Sequence, residues 1–541
     1  MQPSELLAAL RDPAVFGRPA GTPVVVLQTH ISIVALVGDD AYKFKKPVDL
    51  EFLDYTTLAR RQHFCALEVE LNRRLAPDVY LGVAELRRDD AGALHIRDPG
   101  ASPLGPPGEL LDVAVHMRRL PDEATLAHQL AAGAVDAALF TRLGAQLHGF
   151  HRAARRGRDV SSFATFAAVA ANARQNFAQL AEIPRPTDTA NAMSERLLAR
   201  LERATEDALT RQHAAIDRRA RADVARDTHG DLRLDHIYRL REHPDDLIIL
   251  DCIEFSEQFR CADPISDLGF LVMDLHRVDR RDLADALLAG YFAAYQTPLG
   301  HPALATEPAE SRALLPLYTA YRATVRAKVE AMTAAEPEVP PAAAAAAQLA
   351  CHRHLLLALR EIQPPALRPC LVLVAGLPGT GKSTLARSLA ADGFNSWIRS
   401  DAVRKHLAGR TEADIYTPAF TARTYATCLQ QTRAALLAGD RVVVDANFKR
   451  HDQRAPFLAL ARELGVPHLL VVCEADPALT RDRLSRRTGD ISDADGAVYE
   501  AARREWQPPS PAEAPHPIAT AGTPDEVAAT VLELLRAHDL A

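Results

Sequence analysis

The feature that most restricts the fold is a glycine-rich segment in the last third of the chain, GLPGTGKST at residues 376–384. It meets the pattern G-x-x-x-x-G-K-[ST] in full, and it stands between an apolar run, CLVLVAG, and a helical sequence, STLARSLAA. Such a segment joins a buried strand to a helix and turns its backbone N–H groups toward phosphate oxygens. The pattern therefore predicts an α/β domain with a parallel sheet and a phosphate-binding loop, the P-loop.

The chemistry of the pattern assigns nucleotide contacts to the whole loop. Lys382 would neutralise charge on the β- and γ-phosphates of ATP, and the Ser383 hydroxyl would be a ligand of Mg²⁺. The alternative is a glycine-rich turn that binds no nucleotide. The predicted nucleotide-binding residues are Gly376, Leu377, Pro378, Gly379, Thr380, Gly381, Lys382, Ser383 and Thr384.

Two acidic residues follow strand-like runs in the same region. VVVDANF at 442–448 places Asp445 at the end of an apolar strand, where a carboxylate can hold Mg²⁺ or its water; a plain strand-end turn is the alternative. IRSDAVRKHLAG at 398–409 places Asp401 just after an expected strand, with Arg404 one helical turn later. Asp401 could also simply cap the following helix.

The segments GLPGTGKST, RSDAVRKHL, VVVDANF and RDRLSRR (481–487) together resemble the zeta-toxin and polynucleotide-kinase branch of P-loop kinases. The resemblance implies that Asp401 takes the proton from an acceptor hydroxyl and that Arg404 contacts the acceptor. It also implies that Arg483 and Arg487 lie over the transferring phosphoryl group from a lid. An exposed basic helix face is the alternative for these two arginines.

Length and charge limit the other possibilities. A chain of 541 residues exceeds the size at which one core keeps growing, so we expect at least two domains. A net charge of -7 gives no overall attraction to nucleic acid or to anionic membranes, which leaves nucleic acid only as an end substrate. No signal peptide and no run of roughly 18 apolar residues is evident, so we expect a cytoplasmic protein.

The cysteines do not form a recognisable framework. They are scattered and include no C-x-x-C pair, which argues against a zinc site or a set of disulfides. We expect buried, reduced thiols at Cys65, Cys252, Cys261, Cys351, Cys370, Cys428 and Cys473.

A proline-rich segment near Pro364 predicts a domain boundary, which gives domains 1–363 and 364–541. After it, a strand (370–375), a helix (382–391) and two strands (441–445 and 468–473) are expected. Before it, VVVLQTHISIVALV and AYKFKKPV, separated by a turn at 38–40, predict an antiparallel hairpin. Helical patterns fill about 131–226 and 280–360.

Between these helical blocks lie HGDLRLDHI (229–237) and, after the apolar run LIIL, Asp251. The pair resembles the catalytic and metal-binding loops of the aminoglycoside phosphotransferase branch of the protein-kinase-like fold. The resemblance implies that Asp231 orients the acceptor and that Asp251 holds metal. It assigns the second metal position to His236, where the family has asparagine, and neutral imidazole is a poorer Mg²⁺ ligand than an amide oxygen.

The same resemblance calls for a lysine that binds phosphate. In AYKFKKP, Lys43 and Lys45 project from one face of a strand, and Glu68 or Glu70 on the next helix could pair with either. Lys43 with Glu68 is the favoured pair. An exposed strand edge is the alternative for the lysines.

Two further features bear on this resemblance. Asp267 in DPISDLGF matches the family's structural aspartate that braces the catalytic loop. The family's glycine-rich phosphate loop is missing, and QTHIS (28–32) stands in its place. Its substitutes would be Thr29, His30 and Ser32.

Taken together, the sequence resembles bacterial bifunctional proteins with an N-terminal α+β protein-kinase-like domain, carrying a large helical lobe, and a C-terminal α/β P-loop NTPase domain of the AAA type. This predicts an ATP- and Mg²⁺-dependent phosphotransferase acting on a hydroxyl of a small molecule or nucleic-acid end. One alternative is a P-loop kinase or ATPase regulated by a non-catalytic kinase-like domain. Another is an ATPase switch without an acceptor.

Overall fold

A computed structural model describes residues 3–50, 53–98, 100, 108–184, 194–242, 246–294, 307–409, 415–486 and 495–541. The chain forms two compact units, the first from Met1–Val169 with Gln212–Tyr318 and the second from Ala170–Arg211 with Thr319–Ala541. Residues 170–211 and 319–363, which lie upstream of Pro364, thus belong to the same unit as the P-loop segment. The functional division at residues 363 and 364 stays a prediction.

The strands are numbered in chain order. They are β1 (Val24–Gln28), β2 (Ser32–Val37), β3 (Asp40–Lys45), β4 (Asp49–Leu50), β5 (Leu53–Asp54), β6 (Tyr80–Arg88), β7 (Leu94–Arg97), β8 (Glu109–Arg118), β9 (Arg226–Asp227), β10 (Ile237–Arg239), β11 (Leu247–Ile249), β12 (Cys261–Ala262), β13 (Cys370–Ala375), β14 (Ser396–Arg399), β15 (Arg441–Asp445), β16 (His468–Glu474) and β17 (Pro515–Ala519).

The α-helices are numbered in the same way. They are α1 (Pro3–Ala9), α2 (Leu58–Asn72), α3 (Leu126–Ala131), α4 (Ala137–Ala153), α5 (Arg158–Ser162), α6 (Phe166–Glu182), α7 (Glu195–Arg221), α8 (Glu257–Arg260), α9 (Pro264–Arg277), α10 (Arg281–Ala293), α11 (Glu307–Ala335), α12 (Pro341–Ile362), α13 (Lys382–Ala391), α14 (Ser400–Ala408), α15 (Pro418–Leu437), α16 (His451–Leu464), α17 (Pro477–Ser485), α18 (Gly496–Arg504) and α19 (Pro524–Ala537).

The first unit begins with an antiparallel sheet in the order β1-β2-β3-β8-β6-β7. The first apolar run is not one strand, as the hairpin prediction had it, but two, because the chain turns between β1 and β2. In that turn the Ser32 N–H donates to the Thr29 hydroxyl over 3.1 Å, and the Thr29 N–H donates to the Ser32 carbonyl over 2.9 Å. The result is a three-stranded meander in place of a hairpin.

The two faces of β3 have different neighbours because side chains alternate along a strand. Tyr42 and Phe44 belong to a core with β2 and with α1 at the N-terminus. Lys43 and Lys45 lie on the opposite face, toward α2, whose Val69 packs with residues of β8. The two lysines therefore lie toward a helix, which disagrees with the alternative that they occupy an exposed strand edge.

Helices α4 and α10 cross closely at a pair of glycines. A Cβ at Gly144 would lie 2.1 Å from the Leu287 carbonyl oxygen, and one at Gly290 would lie 2.0 Å from the Thr141 carbonyl oxygen. Neither position can accept a side chain without moving a backbone. The crossing matters for function because α4 also carries His151, which contacts the brace residue Asp267.

The second unit contains a five-stranded parallel sheet in the order β14-β15-β13-β16-β17. Strand β13 is central and fully buried, and α13 and α19 pack on the sheet through Leu385, Leu389 and Val531. The predicted parallel α/β architecture of the C-terminal region is confirmed. The predicted bounds of the strands at 370–375 and 441–445 and of the helix at 382–391 coincide with β13, β15 and α13.

The structure also bears on the cysteines and on membrane-spanning helices. All seven cysteines are free and buried, as predicted. Among the described residues, no helix combines the length and apolar character that crossing a membrane requires.

The glycine crossing generates a prediction about stability. Gly144→Ala should lower the free energy of unfolding by about 1–3 kcal/mol, because its Cβ overlaps the backbone of α10. Gly149→Ala on the same helix is the matched control: nothing lies within 4 Å of its Cβ position, so alanine should stabilise the helix by up to about 1 kcal/mol. Calorimetric unfolding of both variants measures this, and equal shifts would contradict the close crossing.

Candidate functional site

The P-loop connects the end of β13 to the start of α13 and depends on glycine at three positions. Gly376, Gly379 and Gly381 have φ angles of 140°, 82° and 89°, in the region that side chains rarely adopt. A Cβ at Gly376 would also lie 2.6 Å from the Cys473 carbonyl oxygen. Backbone conformation and space both require glycine at this position.

Hydrogen bonds hold the loop in shape. The Lys382 ammonium donates to the Leu377 carbonyl over 2.8 Å, and the Thr380 hydroxyl donates to the same oxygen over 2.8 Å. Thr520, which follows β17, donates to the Thr380 carbonyl over 2.7 Å. Sequence reasoning missed Thr520, because no motif surrounds it and its strand is far from the loop in the chain.

A cavity of about 380 Å³ lies over the loop. Most of the site residues predicted in the C-terminal region line it, namely Pro378, Gly379, Gly381, Lys382, Ser383, Thr384, Asp401, Asp445 and Arg483. Gly376, Leu377, Thr380 and Arg404 are described by the structure but are not among its lining residues. The lining also includes residues that the sequence did not indicate, Arg387, Arg399, Asn447 and Thr520 among them.

Asp445 is the buried acid of this cavity. Burial raises the pKa of its carboxyl, while Lys382 and a hydrogen bond with Ser383 act in the opposite direction. Its Oδ2 lies 3.4 Å from Arg399 Nε and, among the described residues, has no hydrogen-bond partner. Hard oxygen atoms from Ser383 and Asp445 suit Mg²⁺, so these two residues fit the metal that the loop pattern implies.

The structure separates Asp401 from Arg404. Asp401 begins α14 and faces the cavity, half-buried. Arg404 is buried, and its guanidinium donates to the Ile415 carbonyl over 2.7 Å and to the Thr421 hydroxyl over 3.2 Å. These bonds connect α14 to α15 and leave Asp401 as the residue of the pair that lines the cavity.

The predicted lid arginines are only partly described. Arg483 on α17 lines the cavity and donates to the Thr520 carbonyl over 2.7 Å. Arg487 lies outside the described residues. One cation of the expected pair is therefore placed at the cavity wall.

In the first unit, both candidate lysines bind the same carboxylate. Glu68 Oε1 lies 2.9 Å from Lys43 Nζ, and Glu68 Oε2 lies 2.6 Å from Lys45 Nζ. Lys43 also binds Asp251 Oδ1 over 2.6 Å, and Lys45 also binds Glu254. Glu70 is exposed, so Glu68 is the glutamate of α2 that the structure joins to the lysines.

The charges in this network stabilise one another. Burial opposes the charge on Lys43, but Asp251 and Glu68 outweigh it and hold the pKa of its ammonium well above the ordinary value. Burial likewise opposes the charge on Glu68, and Lys43 and Lys45 hold its pKa below the usual range. Lys43 also lowers the pKa of Asp251 against the effect of burial. Lys43, Glu68 and Asp251 are therefore ionised at neutral pH.

Asp267 braces the segment that carries Asp231. Its carboxylate accepts hydrogen bonds from the backbone N–H groups of His229 and Gly230 over 2.8 and 2.9 Å. Its Oδ2 also lies 3.2 Å from His151 Nε2. Two backbone donors directed at one buried carboxylate fix the course of the loop.

His229 links this loop to the strand that leads to Asp251. Its Nε2 donates to the Leu250 carbonyl over 2.8 Å, since a carbonyl can only accept, and its Nδ1 faces the Asp231 N–H at 3.4 Å. Burial lowers the pKa of His229 to about 4, so the ring is neutral at physiological pH. Asp231 and Asp251 are thus positioned through one imidazole.

His236 lies between the two aspartates. Its Nε2 is 3.8 Å from Asp251 Oδ2, and its Nδ1 is 3.7 Å from Asp231 Oδ2. Asp251 offers Mg²⁺ an oxygen ligand, but His236 offers nitrogen, which Mg²⁺ accepts poorly. The donor set here fits Mg²⁺ less well than the pair of oxygens over the P-loop.

Thr29 of the segment QTHIS forms hydrogen bonds within its own turn and with Lys46. The Thr29 hydroxyl accepts from the Ser32 N–H, and the Thr29 carbonyl accepts from Lys46 Nζ over 2.5 Å. His30 is exposed. The structure shows a compact turn where the resemblance called for a glycine-rich phosphate loop.

The C-terminal fold and loop define a P-loop domain, and a family model that matches the same region supports this assignment. A family model described as AAA domain matches residues 371–509. Among solved structures, a gluconokinase from Sinorhizobium meliloti 1021 is 19% identical in sequence, with a TM-score of 0.26. The match covers 32% of this chain and 94% of the gluconokinase chain. The APS kinase CysC of Mycobacterium tuberculosis, in complex with AMPPNP and APS, is 20% identical and covers 32% and 99%, with a TM-score of 0.25.

Relatives over nearly the whole chain come from mycobacteria. The uncharacterized protein Rv2004c of Mycobacterium tuberculosis is 33% identical over 509 residues, which is 92% of each chain. The uncharacterized protein Mb2027c of Mycobacterium bovis has the same identity and coverage. The chain belongs to the family of these mycobacterial proteins.

The neutral His229 generates a prediction about pH. Its pKa is about 4 in the folded protein and about 6.5 without that burial, so its contribution to stability is complete above pH 6.5 and is lost as the pH falls toward 4. In His229→Gln the loss of stability between pH 7 and pH 5 should be smaller than in the wild type. Urea unfolding at both pH values measures this.

The exposed His63 provides the control, because His63→Gln should keep the wild-type pH dependence. Parallel pH dependence in the wild type and His229→Gln would show that His229 is not held neutral by burial.

Proposed function

We propose that this protein is an ATP-dependent phosphotransferase with two nucleotide sites, one in each unit, that transfers a phosphoryl group to a hydroxyl. The observation that carries the proposal is the cavity over the P-loop. It joins a phosphate-binding lysine, two oxygen ligands for a metal and a half-buried carboxylate beyond them. An ATPase without an acceptor would not need that last group.

At the P-loop site, Lys382 binds the β- and γ-phosphates, and the backbone N–H groups of the loop surround them. Mg²⁺, held by Ser383 and Asp445, would neutralise phosphate charge when bound. Asp401 orients the acceptor hydroxyl and takes its proton as the acceptor oxygen bonds to the γ-phosphorus. The bond from that phosphorus to the β–γ bridging oxygen breaks, and ADP leaves.

Positive charge at the wall of the cavity supports this assignment. A loose phosphoryl-transfer transition state spreads negative charge over the equatorial oxygens, which nearby cations stabilise. Arg483 lines the cavity from α17, and Arg399 lines it from the end of β14. Arg483 is the better candidate for the phosphoryl group, because Arg399 is paired with the metal-side carboxylate of Asp445.

For the first unit, we base the proposal on the buried ion pair between Lys43 and Glu68. A lysine on a central strand that pairs with a helix glutamate and reaches Asp251 matches what a protein-kinase-like site requires. Asp231, on a loop braced by Asp267, would orient the acceptor. Asp251 would hold a metal ion, which would neutralise phosphate charge when bound.

A second reading assigns the first unit a regulatory role without catalysis. It is favoured by the QTHIS turn, whose hydroxyl and carbonyl groups bond within the turn and to Lys46. It would leave phosphoryl transfer to the P-loop site alone.

The acceptor is best sought by its chemistry. Mass spectrometry of reactions with sugars, nucleosides, aminoglycosides and RNA with a 5′-hydroxyl tests whether a hydroxyl gains phosphate. Release of inorganic phosphate with no phosphorylated product in any panel would instead favour an ATPase.

The P-loop site is tested by two substitutions that should act differently. Lys382→Ala should abolish ATP turnover at this site, because it removes charge at the phosphates. Asp401→Asn should leave ATP affinity within about twofold and slow transfer by about 100-fold or more, because only the acceptor loses its base. Calorimetric ATP titration and product formation measure the two effects.

Lys449→Ala is the control, since Lys449 pairs with Glu505 and is not among the lining residues of the cavity. It should retain wild-type binding and turnover. Equal loss of ATP affinity and transfer in Asp401→Asn would mean that Asp401 supports the nucleotide site as a whole and has no separate role at the acceptor.

The site in the first unit is tested in full-length protein carrying Lys382→Ala. Asp251→Ala should abolish metal-dependent ATP binding, whereas Asp231→Asn should preserve binding and prevent transfer, since the first residue would act on metal and the second on the acceptor. Asp235→Asn, at an exposed position of the same loop, should change neither. If none of the three changes metal-dependent ATP binding or transfer, the regulatory reading is correct.

A further inference from the structure

The tautomer of His236 follows from its hydrogen bond. Its Nδ1 lies 2.9 Å from the backbone carbonyl oxygen of Asp231. A carbonyl oxygen has no hydrogen to donate, so Nδ1 carries the hydrogen and donates it. In the neutral ring, Nε2 then presents a lone pair, which is the arrangement found in metal-binding histidines.

That lone pair is next to a carboxylate oxygen. His236 Nε2 is 3.8 Å from Asp251 Oδ2, while the other oxygen, Oδ1, binds Lys43. The Asp251 side chain is 46% exposed, so an ion can reach it from solvent. Two ligands bound to one ion at about 2.0–2.2 Å each can lie 3.8 Å apart.

The carboxylate is also held in position before any ion arrives. Asp251 has a φ of 66°, an uncommon angle for a residue other than glycine. Its backbone N–H donates to the Tyr80 hydroxyl over 3.2 Å, and its carboxylate binds Lys43. His236 and Asp251 are thus oriented separately, by bonds to different partners.

The chemistry of this pair differs from that of a magnesium site. Mg²⁺ prefers oxygen ligands and releases water reluctantly, whereas imidazole nitrogen is a good ligand for first-row transition metals. We propose that His236 Nε2 and Asp251 Oδ2 bind a divalent first-row transition-metal ion in preference to Mg²⁺. The inference rests on the proposed function of the first unit, where nucleotide phosphates would complete the coordination.

Mn²⁺ is the appropriate probe. It is the weakest binder of the first-row series, so its binding is a strict test, and its unpaired electrons report directly on its ligands. The P-loop cavity provides an internal reference, because no histidine is among its lining residues in the described part of the chain. Nitrogen coupling to bound Mn²⁺ therefore distinguishes the two sites.

The experiment is electron spin echo envelope modulation of Mn²⁺ bound to the full-length protein, with and without ATP. Protein with ¹⁵N-labelled histidine separates imidazole from adenine nitrogen. We expect a histidine coupling in the wild type that disappears in His236→Asn and persists in His63→Asn. His236→Asn should also weaken Mn²⁺ binding about tenfold or more, because even the hydrogen-bond partners of metal ligands contribute that much.

Two results would overturn the inference. One is the absence of histidine coupling in the wild type both with and without ATP. The other is an equal coupling in His236→Asn. ATP binding by the Lys382→Ala protein is measured separately, so failure of the proposed nucleotide site can be recognised while a coupling from Mn²⁺ alone still supports the metal pair.

Discussion

The buried carboxylate of Glu68 is the interaction on which the site of the first unit depends. Its side chain has no exposed surface, and an unpaired charge in such a place would cost several kcal/mol. Two lysines compensate it, one at each oxygen, and their remaining charge is balanced by Asp251 and Glu254. Strand β3, helix α2 and the segment after β11 are thereby held in one arrangement.

Under the proposed function, this network accounts for two lysines where a kinase-like site needs one. If a phosphate group drew Lys43 away from Glu68, Lys45 would still neutralise the glutamate. Lys45 is buried and binds Glu254, which also accepts a hydrogen bond from the Tyr55 hydroxyl. In the proposed site, Lys45, whose side chain is 1% exposed, would position Glu68, and Lys43, whose side chain is 17% exposed, would be the lysine that reaches a ligand.

The two sites were predictable from the sequence to different degrees. The P-loop is contiguous, its glycines are required by the local backbone, and the bounds of β13 and α13 follow from the pattern alone. Lys43 and Asp251 are separated by 208 positions, so the sequence favoured Lys43 with Glu68 but did not show that Lys43 also binds Asp251. Local patterns also missed Thr520, which donates a hydrogen bond to the P-loop. The resemblance implied that Arg404 contacts the acceptor, but its guanidinium donates to Ile415 and Thr421.

The sequence by itself determined the parallel sheet with its P-loop. The strand, the glycine loop and the helix are adjacent in the chain, and the local backbone conformation explains why glycine occurs where it does. Only the tertiary structure decided that Glu68 serves both lysines, that Asp401 and not Arg404 lines the cavity, and that His236 presents Nε2 to Asp251. The physical reason is that burial and pairing of charges depend on which distant segments meet. A periodic pattern indicates on which side of a strand or helix a residue lies. It does not indicate which side chain from a distant segment will contact that residue.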